Sequence, residues 1–436
     1  MCGCKTTILL LVLACVPWQS HGGDAGVRKF QDIAARLDIG GDLFLVVHTG
    51  RWLDAVLARL EGGADAVPPS SAEERDLRDA SGRARRFAAR QGISGLEGIG
   101  ISSMPLQGGQ SSVKVFLLRD AQDANLPFWR GLFGWQPRRL LSLDFLPADA
   151  EFVWASTPDF EGLWQLLESA RVDLGQASLE RMLGHITQAS LRLVEMEPLP
   201  MLQSLRDELL LCARHVAGED GGAHWEWLAI VGTGEQSLFR AVQQVVARRG
   251  VPVEHVVVGG HSMQRIAAPV GSNGARLLPQ AFAAVPGFFV IGSSPRIVED
   301  ALRSQRHRSG LLARPAFIDA FRGQNMVNNG LLYVSPQGAE TLRLLQEQRV
   351  KQSLPDDLEA FPQYLLEALA AEGARGAVFA LTLANWRQGI MISGRSGIGG
   401  TAMGSWLGAF PTAWWYALPQ WVEDRLASGD DLDIGY

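Results

Sequence analysis

AEFVWASTPDFEGLWQLLES (150–169) contains, in order, a short apolar run, a Thr-Pro pair and a segment with apolar residues at helical spacing. The same order occurs five times along the chain. The other four occurrences are DLFLVVHTGRWLDAVLARL (42–60), WLAIVGTGEQSLFRAVQQVV (227–246), GFFVIGSSPRIVEDALRS (287–304) and LLYVSPQGAETLRLLQEQ (331–348). Short runs rich in β-branched and aromatic residues predict strands, whereas a period of about 3.6 residues predicts amphipathic helices. The chain therefore repeats the order strand, turn, helix.

A hydroxyl residue followed by proline marks the predicted helix start in three of these units. The pairs are Thr157-Pro158, Ser294-Pro295 and Ser335-Pro336. The hydroxyl accepts a hydrogen bond from a free N–H group of the first helical turn, and proline at the first helical position has no N–H that needs a partner. These pairs therefore predict capped helices that begin at the prolines.

Strands that follow each other without a helix between them decide the fold class. Three pairs of β-rich runs are joined by short turns, which predicts antiparallel hairpins. They are 95–104 with 111–120, 253–262 with 264–270, and 376–386 with 389–397. Further helical patterns occupy 71–91, 176–186, 200–216 and 356–372. The sequence therefore predicts an α+β fold of repeated β-α-β-β modules that form antiparallel or mixed sheets, with the helices packed on one face.

Three such modules are predicted, and a chain of 436 residues is long enough for two or three domains. They span 40–188, 189–310 and 311–400. The modules share only the order of their elements, so their descent from one duplicated unit is a hypothesis.

Composition and charge place the chain among ordinary globular proteins. Apolar residues make up 47% of it and charged residues 20%, which argues against disorder. The formal net charge is −6, and the chain has no long run of one sign. Because a nucleic-acid-binding protein carries a basic patch or stripe, the sequence predicts no nucleic-acid partner.

The first 22 residues have the three-part order of an export signal. MCGCK carries one positive charge, and TTILLLVLACV (6–16) is an apolar run of secretory length. Ser20 and Gly22 are small residues at the positions that a signal peptidase requires, which predicts cleavage before Gly23. The segment 1–22 is then a signal peptide.

A second cleavage site competes with the first. VLAC (12–15) resembles a bacterial lipobox, in which 1–14 is removed and Cys15 receives the lipid. No later run of 18 apolar residues occurs. Both alternatives predict an exported protein of the periplasm or cell envelope, and a lipid on Cys15 is the one predicted contact with the membrane.

Cysteine usage predicts no disulfide in the mature chain. Cys2, Cys4 and Cys15 lie in the signal, so Cys212 alone remains. Cys212 lies in LRDELLLCARHV (205–216), on the apolar side of a helical pattern. We therefore predict a buried, inert thiol and no nucleophile at this position.

No motif commits the chain to a reaction. Gly260-His261-Ser262-Met263 follows a predicted strand and echoes the G-x-S-x-G elbow of α/β-hydrolases, but Gln264 replaces the last glycine and no helix follows. Glu195 and Glu197 alternate on a predicted strand face and form a carboxylate pair. An exported hydrolase that uses Ser262 or a carboxylate pair is therefore kept as an alternative function.

Cofactor and metal patterns are missing from the sequence. IVGTG (230–234) has neither the third glycine of a dinucleotide loop nor a Walker lysine. The histidines are scattered, and DDLDIGY (430–436) lacks the terminal glutamate of a calcium loop. We therefore predict no cofactor and no metal site.

The chain ends in a Trp-rich and then acidic tail at 401–436. Its interaction candidates are Trp406, Trp414, Trp415 and Trp421. Large aromatic residues of this kind pack an irregular tail onto a core, or else form a contact surface for a partner, a carbohydrate or a membrane interface. The sequence leaves both alternatives open.

FLPADAEFVWASTPDFEGLWQLLES (145–169) has a Leu-Pro-x-Asp lead, a strand and a helix. In this it resembles uncharacterised bacterial secreted proteins and lipoproteins that form a family of unknown function with repeated strand–helix units. The resemblance implies a cell-envelope location and supplies no catalytic residues. We predict a non-enzymatic protein that binds an unknown protein or envelope component. A structural spacer lipoprotein, in which Cys15 is the one functional residue, is a further hypothesis.

Overall fold

The computed structural model describes nine ranges of the chain, and they do not include every predicted element. The ranges are 24–49, 72–175, 177–194, 196–217, 223–234, 237–248, 250–266, 279–341 and 379–396. The signal segment with Cys15, the predicted helix at 356–372 and the tail at 401–436 lie outside these ranges. So do Trp406, Trp414, Trp415 and Trp421.

The described strands confirm the predicted α+β class and its antiparallel pairing. They are β1 (Leu43–His48), β2 (Leu96–Pro105), β3 (Ser111–Arg119), β4 (Arg138–Arg139), β5 (Phe152–Ser156), β6 (Leu205–Ala217), β7 (Ala223–Thr233), β8 (Val253–Val258), β9 (His261–Ile266), β10 (Ala281–Val285), β11 (Phe288–Gly292), β12 (Val327–Asn328), β13 (Gly330–Val334), β14 (Phe379–Trp386) and β15 (Gly389–Ser396). Thirteen of these form one antiparallel sheet in the order β1-β2-β3-β15-β14-β13-β5-β6-β7-β11-β10-β9-β8. The remaining two, β4 and β12, pair with each other.

Helices account for most of the other described residues. They are α1 (Asp24–Ala34), α2 (Ala72–Gln91), α3 (Pro127–Phe133), α4 (Phe160–Leu174), α5 (Ala177–Val194), α6 (Pro198–Ser204), α7 (Ser237–Arg248), α8 (Pro295–His307) and α9 (Pro315–Ala320). A further helix begins at Pro336. No helix in the described ranges is long and apolar enough to cross a membrane.

All three predicted hairpins are present, but the turn of the second one is shifted: it lies at Gly259 and Gly260 and not at Met263, between the predicted runs 253–262 and 264–270. The pair β2 and β3, the pair β8 and β9, and the pair β14 and β15 are each adjacent and antiparallel. Gly259 and Gly260 join β8 to β9 and have φ angles of 62° and 87°. Two successive residues with positive φ are what a two-residue type I′ turn requires, and glycine adopts this conformation without strain.

Two of the three predicted helix caps are confirmed. The Ser294 hydroxyl accepts a hydrogen bond from the Ile297 N–H at 3.2 Å, and Pro295 begins α8. The Ser335 hydroxyl accepts from the Gly338 N–H at 2.9 Å.

The predicted cap at Thr157 is wrong. The carboxylate of Asp159 accepts the hydrogen bond from the Gly162 N–H at 3.0 Å and caps α4. The Thr157 hydroxyl instead donates to the carbonyl of Asn329 at 3.2 Å. Both residue types cap helices well, so the choice between them is made by the tertiary partner of Thr157.

The predicted helix at 200–216 is wrong over most of its length. Only the short α6 (Pro198–Ser204) is helical, and the strand β6 begins at Leu205. A short leucine-rich run fits a buried strand and a helix equally well. The strand forms because β5 and β7 flank β6 and supply hydrogen bonds on both sides. The side chains of Leu210 and Cys212 lie on one face of the sheet, which we call the front face, and that of Leu211 lies on the back face.

Helices lie on both faces of the sheet, which corrects the prediction that they pack on one. On the front face, Ile297 and Leu302 of α8 belong to one buried cluster with Leu210 and other sheet residues. On the back face, Phe239 of α7 packs against Phe282 and Phe289 with ring centroids 5.7 and 6.1 Å apart. Because β10 and β11 are apolar on both faces, each face needs its own cover.

The strands of the sheet fall into groups of three that can be compared with the predicted modules, but the strand order does not show whether the modules arose by duplication. The strands β1, β2 and β3 are neighbours in the sheet, as are β5, β6 and β7, and also β13, β14 and β15. In each group the first strand is separated in sequence from a following hairpin, and in the first two groups described helices fill the interval. The predicted boundary at 188/189 falls inside α5. All three groups belong to one continuous sheet.

Candidate functional site: the ion cluster and the aromatic surface of the central strands

The front face of the central strands carries a buried arginine. Arg214 on β6 lies directly opposite Glu226 on β7 in the strand register. Its Nε donates to Glu226 Oε2 at 2.8 Å. The two side chains are 2% and 6% exposed, so this ion pair is removed from water.

Two more carboxylates complete this group. Nη1 of Arg214 donates to Asp149 Oδ1 at 2.8 Å and to Asp300 Oδ2 at 2.9 Å. Asp149 lies in the segment before β5, and Asp300 lies on α8. We call Arg214, Glu226, Asp149 and Asp300 the ion cluster. It ties two strands, the entry to a third strand and one helix to a single guanidinium.

The electrostatics of the ion cluster favour a fixed charge. Burial opposes ionisation of Arg214, but hydrogen bonds from its guanidinium to Asp149 and Glu226 outweigh burial and raise its pKa above the ordinary value. The Ser294 hydroxyl donates to Glu226 Oε1 at 2.5 Å. Because an arginine held in this way does not exchange protons near neutral pH, the cluster is suited to holding structure and not to acid–base catalysis.

A buried glutamate lies beside the ion cluster. Glu151, which precedes β5, is 3% exposed. Burial raises its pKa, while a hydrogen bond from the His215 backbone and the nearby His215 imidazole act in the opposite direction. The Thr341 hydroxyl donates to Glu151 Oε2 at 3.4 Å. This carboxyl therefore links β5 to the helix that begins at Pro336.

The back face of the same strands presents aromatic and apolar side chains. Strand alternation places large side chains on this face. We give the name aromatic surface to seven of them: Phe152, Trp154, Leu211, His215, Trp225, Trp227 and Leu332. Trp154 is 38% exposed and Leu211 is 41% exposed. The ring of Trp225 lies 5.4 Å from that of Phe152 and 5.3 Å from that of His215. Water therefore reaches large apolar groups in the middle of a sheet, where they are usually covered.

A chain of buried amides lies at one end of the strands. Asn329, which is 1% exposed, precedes β13. Its Nδ2 donates to the Trp135 carbonyl at 2.8 Å and to Thr157 Oγ1 at 3.0 Å. Its Oδ1 accepts from the Asn385 backbone N–H at 2.7 Å. All the polar atoms of this side chain are therefore paired.

The chain of amides continues through Asn385 to a buried cation. Asn385 Nδ2 donates to the Gly134 carbonyl at 2.6 Å, and its Oδ1 accepts from Arg119 Nη2 at 2.7 Å. Arg119 is 3% exposed, and its guanidinium lies 5.1 Å from the Trp129 ring centroid. Burial lowers the pKa of Arg119 to about 10, although Asp123 partly offsets this. We call Thr157, Asn329, Asn385 and Arg119 the amide ladder.

A hollow of 480 Å³ lies between α1 and the end of β3. Asp32, Arg36, Glu97, Asp120 and Gln388 supply its polar lining. Arg36 Nη2 donates to Gln388 Oε1 at 3.0 Å, and Lys29 pairs with Glu97 at 2.6 Å. Its charged groups are of both signs, and several are already engaged with one another.

Comparison with known proteins gives no relative. No family model, no curated protein and no solved structure matches this chain. The resemblance carried by 145–169 therefore stays a prediction.

The structure places Ser262 away from any elbow. It lies on β9 opposite Val257, its side chain is exposed, and the type I′ turn at Gly259 and Gly260 precedes it. A nucleophile elbow needs a strand followed by a helix, and here a strand follows the turn. The hairpin interpretation of this segment is therefore the correct one.

Glu197 of the predicted carboxylate pair is not on a strand. Glu197 is the residue before α6, at a bend between α5 and α6, and Glu195 lies outside the described ranges. The strand prediction for this segment is wrong because the alternation of three residues is too short to specify a strand.

Cys212 is buried on β6, and burial raises the pKa of its thiol to about 12. This confirms the predicted burial of the thiol, although it lies on a strand and not on a helix. His261 pairs with Val258, and opposed residues share a face of the sheet. Val258 and His255 are three positions apart on β8, so their side chains lie on opposite faces. His255 and His261 therefore lie on opposite faces of their hairpin. In the described ranges, no three His, Cys, Asp or Glu side chains lie close enough to hold a metal ion.

Sequence analysis missed the ion cluster, the aromatic surface and the amide ladder. The contact between Arg214 and Glu226 can be predicted only if 205–217 is recognised as a strand, and the sequence pattern predicted a helix there. The ladder joins residues that are far apart in sequence, and Arg119 and Asn385 are 266 positions apart. No local pattern signals such a contact.

Proposed function

We propose that this chain is an exported protein of the bacterial cell envelope and that it acts by binding, through the aromatic surface. The observation that supports the proposal best is the exposure of Trp154 and Leu211 on the central strands. Exposed aromatic and aliphatic groups that are grouped together are typical of binding sites, and tryptophan is enriched where binding energy is concentrated. The partner is an envelope component or another protein, and the binding role is non-enzymatic.

Export is supported by the three-part order of 1–22 and by the lipobox-like VLAC at 12–15. The repeated modules and the envelope family resemblance belong to the same proposal. The module hypothesis is tested by superposing 40–188, 189–310 and 311–400, which must overlay over two strands and a helix.

The location is tested by the intact mass of the protein from its native host. We expect a mature chain that begins at Gly23 in the soluble envelope fraction, or one that begins at Cys15 with added acyl mass in the membrane fraction. A Cys15→Ser variant is the control, because it abolishes the acylated chain that begins at Cys15 and leaves cleavage before Gly23 possible. A full-length chain in the cytosol would contradict export.

The binding surface is tested by photo-crosslinking in the native host. We expect p-benzoylphenylalanine at position 154 or 211 to give one discrete adduct of higher mass, because both side chains face solvent from the aromatic surface. Val172 on α4 is 68% exposed and serves as the matched control position. The same adduct from all three positions, or none from 154 and 211, would contradict the proposal.

A further inference from the structure

The front layer of the fold exposes a basic segment, from the last turns of α8 to the turn after α9. Residues 303–322 contain five arginines and one acidic residue, which gives a local charge of +4 in a chain whose net charge is −6. All five arginines are exposed. We call them the arginine patch: Arg303, Arg306, Arg308, Arg314 and Arg322.

Three members of the arginine patch have no partner for their charge. The first and the last arginine form ion pairs with carboxylates three or four positions away. Arg306, Arg308 and Arg314 form no ion pair and no side-chain hydrogen bond within the described part of the chain. Their guanidinium groups are therefore available to an anionic group from outside it.

Two of these arginines stand where the local backbone favours other residues. Arg308 ends α8 in the left-handed conformation, with a φ angle of 52°, and is the one non-glycine residue with positive φ in the described ranges. Glycine is the usual residue there, because it adopts this conformation without steric cost. Arg314 is the N-cap of α9 and makes no capping hydrogen bond. A hydroxyl or a carboxylate is preferred at that position, and the helix dipole disfavours a cation. The local fold therefore does not account for these two arginines.

An exposed isoleucine lies within the arginine patch. Ile318 on α9 is 52% exposed, and its N–H donates to the carbonyl of Arg314, one helical turn earlier, at 3.1 Å. The opposite side of α9 packs on the front face of the sheet, where the ring of Phe317 lies 5.0 Å from that of Tyr333. The other arginine-rich stretch, 83–90 on α2, follows four acidic residues on the same helix and exposes no large apolar side chain. An exposed apolar group among basic ones suits an anionic bilayer surface, whereas a soluble polyanion needs the charges alone.

We propose that the arginine patch and Ile318 bind the surface of a bilayer that contains anionic lipids. The guanidinium groups contact lipid phosphates, with which arginine forms two parallel hydrogen bonds. Ile318 enters the boundary between the head groups and the acyl chains. This inference goes beyond the proposed function and does not use the aromatic surface. Since α8 and α9 cover the front face, the bilayer lies on that side and the aromatic surface on the back face stays free for its partner.

Vesicle sedimentation of the full chain tests the proposal. The measured quantity is the ratio of two partition coefficients, one on vesicles of equimolar phosphatidylglycerol and phosphatidylcholine and one on vesicles of phosphatidylcholine alone. The apolar run at 6–16 is common to all variants and meets both kinds of vesicle, so this ratio reports the charges. The combined change Arg306→Gln, Arg308→Gly and Arg314→Gln is expected to lower the ratio roughly tenfold or more, because each arginine near an anionic surface adds to binding. The matched control changes to glutamine three exposed arginines elsewhere and is expected to lower the ratio far less: Arg86, Arg240 and Arg387.

Two single variants separate binding from folding and a bilayer from a soluble polyanion. Arg308→Gly places the usual residue at the end of α8, so we expect an unchanged or higher unfolding temperature together with a lower vesicle ratio. Ile318→Ser is expected to weaken partition onto the anionic vesicles and to leave the binding of soluble heparin unchanged, because only a bilayer accommodates the apolar side chain.

The acidic end of the chain is the competing occupant of the arginine patch. Asp430, Asp431 and Asp433 lie outside the described ranges. If anionic vesicles bind the chain only after these three residues are changed to asparagine, the tail occupies the patch and the proposal is overturned. It is also overturned if neither chain prefers anionic vesicles, if the patch and control variants lower the ratio equally, or if the patch binds heparin and no vesicle.

Discussion

The Arg214→Met variant is expected to lose about 3–5 kcal/mol of the free energy of unfolding, because it leaves Glu226 charged and without its partner in the sheet. Glu226 is 4% exposed, and water cannot replace the guanidinium there. Urea denaturation followed by tryptophan fluorescence measures the change. Methionine keeps much of the volume of arginine, so the loss reports the charge and not a cavity.

Two further variants distinguish the contribution of the ion cluster to the free energy of unfolding from that of exposed ion pairs. Arg303 on α8 pairs with Glu299 and Asp300 but is 55% exposed, so Arg303→Met is expected to cost less than about 1 kcal/mol. Adding Glu226→Leu to Arg214→Met is expected to restore much of the loss, since a well-packed apolar pair replaces a buried ion pair at little cost. If Arg214→Met costs no more than Arg303→Met, the cluster does not stabilise the central strands.

The Asn329→Ala variant is expected to lose about 2–4 kcal/mol, since it leaves several buried polar groups without partners. The carbonyl of Trp135 and the backbone N–H of Asn385 each lose the hydrogen bond that Asn329 supplies. Because Asn385 in turn holds Arg119, the effect extends to a buried cation.

The matched control is Asn325→Ala in the same segment. Asn325 is exposed and accepts one hydrogen bond from the Val327 N–H at 2.9 Å, so this variant is expected to cost less than about 1 kcal/mol. Equal losses for the two variants would show that the amide ladder does not anchor the strand ends. Thermal unfolding by circular dichroism gives a second, independent measure of both.

The fold was predictable where local chemistry and tertiary packing agree. The hairpin of β2 and β3 follows from β-rich runs on either side of the turn PLQGGQ (105–110), and the start of α8 follows from Ser294 before Pro295. Both signals act over fewer than ten residues. The α+β class follows from such hairpins.

The prediction failed where a distant partner decides the local structure. The run at 205–216 forms a strand because β5 and β7 lie on either side of it, and neither neighbour is visible in its own sequence. Thr157 caps no helix because its hydroxyl reaches Asn329, 172 positions away. The candidate sites depend on the same long-range pairing. The exposure of Trp154, for example, depends on which helices cover the back face.

The order of strands in the sheet also constrains how the chain folds as it is made. The strand β3 is hydrogen-bonded to β15, about 270 residues later. At ordinary synthesis rates that separation corresponds to roughly 15–55 seconds, during which the edge of β3 has no native neighbour. Contacts of such long range are slow to form, and an open edge invites aggregation. A nascent β1–β3 unit is therefore exposed to aggregation until β15 is available to pair with β3.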